Sequence, residues 1–188
     1  MEPVGILLAA GSASRFGAPK LLHPLSDGTP VGVAAARALQ QSLTQVIAVV
    51  RSDDRDLKAA FGHIGLQVVE NPQSGEGMGT SVVAGLKATS DAAGWIFALA
   101  DMPWVQASTI GKLADRLRQG ARIVAPVHQG RRGNPVGFSG CWYRELSGLS
   151  GDTGARELLV RHTARVERIE VSDPGVLRDV DYPGDLRF

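Results

Sequence analysis

The apolar run from Val4 to Ala10, with the small-residue stretch from Gly11 to Lys20 behind it, constrains this chain more than any other part of its sequence. A run without polar alternation reads as a strand covered on both faces, the kind found inside parallel sheets. After it come Gly11-Ser12-Ala13-Ser14-Arg15-Phe16-Gly17-Ala18-Pro19-Lys20, a loop of small residues with two cations. The same alternation of strand and helix then repeats. Residues 31–42 read as a helix, 46–50 as a strand, 54–61 as a helix and 66–69 as a strand closed by Asn71-Pro72. A glycine-rich loop over 75–79 feeds a helix over 80–87, and a fourth strand over 95–99 stops at Asp101-Met102-Pro103. An amphipathic helix over 108–118 and a fifth strand over 123–127 follow. Such an order predicts an α/β fold, a mostly parallel sheet with crossover helices. Beyond Gln129 the pattern loosens, with candidate strands over 135–139 and 166–171 and a helix over 154–162. No repeat or linker interrupts the chain, so one domain over residues 1–188 is expected.

Composition narrows the function classes. At 44% hydrophobic and 21% charged residues the chain is ordinary for a globular protein, and 188 residues suffice for a substantial core. A net charge of +1 gives no broad footprint for nucleic acid, so any anion site must be local. Cys141 is the only cysteine, which excludes an intrachain disulfide and a cysteine-rich metal centre; a buried structural thiol is expected. His23, His63, His128 and His162 have no short metal-binding spacing, and no Gly-x-Ser-x-Gly elbow is present. Met1-Glu2-Pro3 lacks a basic leader, and Val4 to Ala10 is too short to span a bilayer. A cytoplasmic protein with neither membrane nor nucleic acid as partner is expected.

Ligands in parallel α/β sheets gather at the carboxyl ends of the strands, where the Gly11–Lys20 loop begins. Small residues let backbone N–H groups approach phosphate oxygens; Arg15 can fork two donors onto a phosphate and Lys20 adds a point charge. The loop is neither a P-loop nor a dinucleotide fingerprint, and an ordinary connection with two solvated cations explains the same residues. Asp101, just past the fourth strand, is placed either to hold a magnesium ion or to cap a turn before Pro103. Thr80 and Ser81, behind Glu76-Gly77-Met78-Gly79, serve either a nucleoside or a helix N-terminus.

Leu8-Ala9-Ala10-Gly11-Ser12-Ala13-Ser14-Arg15-Phe16-Gly17-Ala18-Pro19-Lys20 resembles the signature of the nucleotidyltransferases of the molybdenum cofactor group, departing at Phe16, where methionine is usual. The resemblance implies a Rossmann-like three-layer sandwich of the nucleotide-diphospho-sugar transferase type. It also implies that Leu8, Ala9, Ala10, Gly11 and Ser12 line a nucleotide site, with Arg15 and Lys20 on its phosphates. Alanine rather than glycine at Ala10 is similar to the members that use CTP. In the family the Asp-Met-Pro aspartate, here Asp101, binds Mg²⁺, and Asp179-Val180-Asp181-Tyr182-Pro183 resembles a segment that maps a second metal ligand onto Asp181. Similarity to a Gly-Met-x-x-Ser stretch implies nucleoside contacts by Gly79 and Ser81. Gly133-Asn134-Pro135-Val136 and Gly151-Asp152-Thr153-Gly154-Ala155-Arg156 resemble acceptor-side segments, which implies acceptor roles for Asn134, Asp152 and Arg156, with Arg131 and Arg132 nearby. Asn134 departs from the histidine usual there.

The reaction so implied is transfer of CMP from CTP to the terminal phosphate of molybdopterin, with release of pyrophosphate and a molybdoenzyme or its chaperone as recipient. A transferase using GTP, ATP or a sugar phosphate, or a carrier that binds without turnover, are the competing readings.

Overall fold

Each long apolar run of the sequence forms a strand whose alternate side chains enter two different cores. The computed structural model describes residues 2–11, 16–152 and 154–186. Its strands are β1 (Val4–Leu8), β2 (Val46–Arg51), β3 (Gln67–Asn71), β4 (Gly94–Leu99), β5 (Ile123–His128), β6 (Arg131–Arg132), β7 (Val136–Ser139) and β8 (Val166–Glu170). Its helices are α1 (Val31–Gln40), α2 (Arg55–His63), α3 (Met78–Ala88), α4 (Ala107–Arg118), α5 (Tyr143–Ser147) and α6 (Ala155–Arg161). Leu7, Ala48, Val50, Ile96 and Ala98 face α1, α2 and α4; Ile6, Ile47, Val49, Trp95 and Phe97 face α3, α5 and α6. The result is a three-layer α/β sandwich, and the doubly covered sheet is why β1, β2 and β4 show no polar alternation.

The strand order is β3-β2-β1-β4-β7-β5-β6, with β8 beside β5. Pairs β1–β2, β2–β3, β1–β4 and β5–β8 are parallel. After β3 the chain crosses back through α3 to the other side of β1, so the winding reverses between β1 and β4. A crevice opens at such a reversal, outside the strands' carboxyl ends.

The loosened pattern beyond Gln129 has a physical cause. Gln129 and Gly130 both take positive φ, 50° and 75°, a turn that reverses β5 into β6. The chain then runs back as β7, antiparallel to both β4 and β5. A hairpin turn built on Gln-Gly lacks the asparagine or aspartate by which such turns are read.

The segment after β8 returns from the sheet edge towards the crevice. Asp173, 2% exposed, anchors it: its carboxylate accepts from Thr109 Oγ1 at 2.7 Å and from the amides of Gln106 and Gly175, each at 2.9 Å. Asn134 N donates to Val176 O at 2.9 Å, which fastens the same segment to the start of β7. Among the described residues no helix is long and apolar enough to cross a membrane.

Replacing Asp173 by alanine strands a buried hydroxyl and two amides, a loss on the order of 3 kcal/mol. Urea unfolding of Asp173→Ala should show a lower midpoint at unchanged m-value. A wild-type midpoint would mean that the segment is held by something else.

Candidate active site

At the reversal point Leu8 of β1 pairs with Leu99 of β4, and Ala100 N donates to Leu8 O at 3.1 Å. Ala9–Gly11 and Ala100–Asp101 therefore leave the sheet side by side. Lys20 comes from a short 3-10 turn, Lys20–Leu22, and its Nζ donates to Asp101 Oδ2 at 2.8 Å. The same ammonium lies 3.5 Å from Asp181 Oδ1. Asp181 is delivered by the backbone: Val180 N donates to Asp101 O at 2.8 Å, and Val180 is buried with Phe16 and Val31. Sequence separations of 81 and 161 residues are thus closed at one ammonium group.

Asp101 and Asp181 thus share the Lys20 ammonium. Asp101 Oδ1 is buried, and among the described residues nothing donates to it. An unsatisfied buried carboxylate oxygen is costly. This oxygen, with Asp181 beside it, fits a divalent cation whose remaining ligands come from phosphate oxygens and water. Among the described residues no group of three or more His, Cys, Asp or Glu side chains could hold a metal.

Three adjoining cavities form the crevice. The largest, about 490 Å³, is lined by Ala10, Gly11, Arg51, Ser81, Asp101 and Asp152 among others. A second, about 300 Å³, lies over Ala9, Gly11, Lys20 and Arg51. The third, about 420 Å³, has an apolar wall of Phe97, Val136 and Leu159 and a polar edge of Arg132, Asn134 and Arg156. Leu8, Met78 and Leu99 line both the first and the third. Partial burial of its guanidinium holds the Arg132 pKa below the usual arginine range, and Arg156 and Arg168 add repulsion. That edge favours an anion.

Of the residues singled out in the sequence, Leu8, Ala9, Ala10, Gly11, Lys20, Ser81 and Asp101 line the first two cavities. Asn134 and Arg156 meet at the third. Arg15 and Ser12 lie outside the described residues. Asp152 lines the cavity of Ala10 and Asp101, apart from Asn134 and Arg156. The reason is the docking of the 150–152 loop on the start of α3. Gly77 has φ +112, and a Cβ there would lie 2.2 Å from Gly151 C. Gly79 N donates to Gly151 O at 2.9 Å, so the amide expected to meet a nucleoside is occupied by the chain itself. Cys141 is exposed, not buried as expected, with Ser139 Oγ 3.1 Å from its sulfur.

Two residues, one behind the crevice and one on its wall, escaped the sequence reading. Asn71, buried at the end of β3, donates to Thr80 Oγ1 at 2.9 Å and Ser81 Oγ at 3.0 Å. Ser81 thereby keeps its own O–H to donate. Arg51 ends β2 and borders two cavities. The rule that picked out Gly11 and Asp101, a position at a strand's carboxyl end, applies to both missed residues.

The family model described as "MobA-like NTP transferase domain" matches residues 5–166. Among curated proteins, the chain is 32% identical to Nicotine blue oxidoreductase of Paenarthrobacter nicotinovorans, over 94% of this chain and 91% of that one. It is 27% identical to Purine catabolism protein PucB of Bacillus subtilis, over 96% and 92%. Identity to the Molybdenum cofactor cytidylyltransferase of Escherichia coli is 25%, over 96% and 92%. The crystal structure of Rv0371c from Mycobacterium tuberculosis in complex with manganese superposes with a TM-score of 0.79 at 28% identity, over 98% of this chain and 96% of that one.

Asp185 Oδ2 accepts from the amides of Tyr182 and Asp181, at 2.7 and 2.9 Å, and these bonds, with weaker help from Lys20 and Arg178, hold its pKa below the usual aspartate range. A depressed folded-state pKa means that the turn carrying Asp181 is held above the usual aspartate range and released as pH falls through the lowered value. Carbon-detected NMR titration should place the Asp185 midpoint below that of a model aspartate. A midpoint at the ordinary value would remove the turn's acid sensitivity.

Proposed function

The chain belongs to the MobA-like NTP transferase family of nucleotidyltransferases, and from that premise we propose that it transfers CMP from CTP to the terminal phosphate of molybdopterin, releasing pyrophosphate. The observation that carries the reading is the meeting of Lys20, Asp101 and Asp181 at a crevice with an arginine-edged apolar cavity beside it. Nucleotide and acceptor would occupy adjoining cavities that share Leu8, Met78 and Leu99.

In this reading the backbone from Leu8 to Ser12, with Arg15 and Lys20, cradles the triphosphate. Ser81 donates to the nucleoside, and Ala10 narrows the wall beside a pyrimidine. Asn134, Arg156 and Arg132 orient the acceptor, the arginines meeting its anionic groups. Asp101 and Asp181 would hold Mg²⁺, which supplies Lewis-acid neutralisation of phosphate charge when bound. An acceptor phosphate oxygen forms the new bond to the α-phosphorus while the bond to the bridging oxygen breaks, and pyrophosphate leaves with that electron pair. A phosphate monoester, with a second pKa of about 6, is already largely ionised at neutral pH, so no side chain need remove a proton. Catalysis then consists of alignment and charge neutralisation. The cytidylylated product passes to a molybdoenzyme or its chaperone.

A second reading is favoured by the 32% identity to Nicotine blue oxidoreductase, namely an oxidoreductase built on the same crevice. Purified protein given Mg²⁺, the molybdenum cofactor and CTP, GTP, UTP or ATP in turn distinguishes them. Pyrophosphate release with CTP alone supports the proposal; release with GTP, ATP or a sugar phosphate acceptor moves it within the class. Binding without release makes the protein a carrier; in a parallel assay supplied with a reduced nicotinamide nucleotide and a redox-dye acceptor, oxidation of the nucleotide coupled to reduction of the dye selects the second reading.

Two substitutions sharpen the test. Asp101→Asn should lower turnover by about a thousand-fold with an unchanged melting temperature, and full activity would end the metal assignment. Lys20→Ala should weaken CTP binding by at least about ten-fold in calorimetry. Wild-type affinity in that variant would end the cradle.

A further inference from the structure

Arg51 stands at the carboxyl end of β2, next to β1, and borders both the cavity of Ala10 and Ser81 and the cavity of Lys20. Its Nε donates to Asp53 Oδ1 at 3.1 Å and its Nη2 to Asp53 Oδ2 at 3.0 Å. Among the described residues no other group accepts from it. A guanidinium is planar and carries five N–H bonds in fixed directions. With the Nε–Nη2 edge pinned, the Nη1–Nη2 edge is left with two parallel donors for a ligand.

Two parallel donors match a pair of neighbouring acceptors with no hydrogen between them. Cytosine offers such a pair in O2 and N3, and guanine in O6 and N7. Uracil carries a hydrogen on N3, and adenine sets its amino group beside N7. Phosphate oxygens would also accept from this edge. The Asp53 carboxylate, however, offsets the charge of Arg51 while fixing its direction, which suits it to reading a neutral base more than to holding a phosphate.

We infer that Arg51 is the residue that reads the nucleotide base, its free edge pairing with the adjacent acceptors of the base, O2 and N3 of cytosine. The inference rests on the CTP reading above for the identity of that base. Asp53 is then a positioning residue, acting only by holding the guanidinium.

The test measures affinity for CTP, UTP, GTP and ATP, with Mg²⁺ present, in wild type, Arg51→Met and Asp53→Asn. Wild type should prefer CTP to UTP, and Arg51→Met should weaken CTP about 30-fold while changing UTP by less than about three-fold. Asp53→Asn should lower the CTP-to-UTP ratio in the same direction by a smaller factor. Equal losses for all four nucleotides make Arg51 a phosphate contact and overturn the inference, as does an unchanged ratio or a wild type that prefers UTP or ATP. A wild type that prefers GTP, with a GTP-selective loss in Arg51→Met, ends the CTP reading while keeping Arg51 as the reader of adjacent acceptors. Arg51 is partly exposed, so melting temperatures should match and certify the fold.

Discussion

The ammonium of Lys20 reaches both Asp101 and Asp181 only because β1 and β4 are neighbours and the late segment returns to them. Everything else in the crevice follows from that meeting. Phe16, Val31 and Val180 pack together, so the loop's far end, the start of α1 and the segment before Asp181 share one small core. The departure from methionine at Phe16 is thus a packing choice, its ring set edge-on to His23 with centroids 5.4 Å apart. Hydrocarbon fixes where the charges stand, and the charges in turn leave one buried carboxylate oxygen without a donor among the described residues.

Much of this was legible in the sequence because burial on both faces writes itself as unbroken apolar runs. Val4 to Ala10, Val46 to Val50 and Trp95 to Leu99 announced the central strands, and their ends announced Gly11 and Asp101. Position at a strand end is a topological property, and one dimension suffices to see it. What stayed hidden depends on which segments touch. β7 was read as a strand, but its antiparallel place between β4 and β5 comes from positive φ at Gln129 and Gly130. Nor does any local pattern say that the 150–152 loop lies on Gly77 and Gly79, with Asp152 beside Ala10 and Asp101. Arg51 and Asn71 obey the same strand-end rule as Asp101 but sit in segments without a distinctive motif.

The electrostatic design is local. A chain of net charge +1 has no long-range field to gather anions, so recognition must be short-ranged and directional. Lys20 sits among carboxylates, Arg51 is chelated by Asp53, and Arg132 is partly desolvated beside Arg156. Each cation is restrained in a different way. A surface with the same number of free lysines would bind polyanions without discriminating among them.

Leu8, Met78 and Leu99 belong to the walls of two cavities at once. A change of volume at any of them is felt on both sides, as with any pair of sites sharing a residue. A substitution that is to alter one side without the other must therefore fall on a residue that faces one cavity alone. Phe97, Leu159 and Arg156 belong to one such set and Ala10, Ser81 and Asp152 to the other, with the shared leucines and methionine coupling the two.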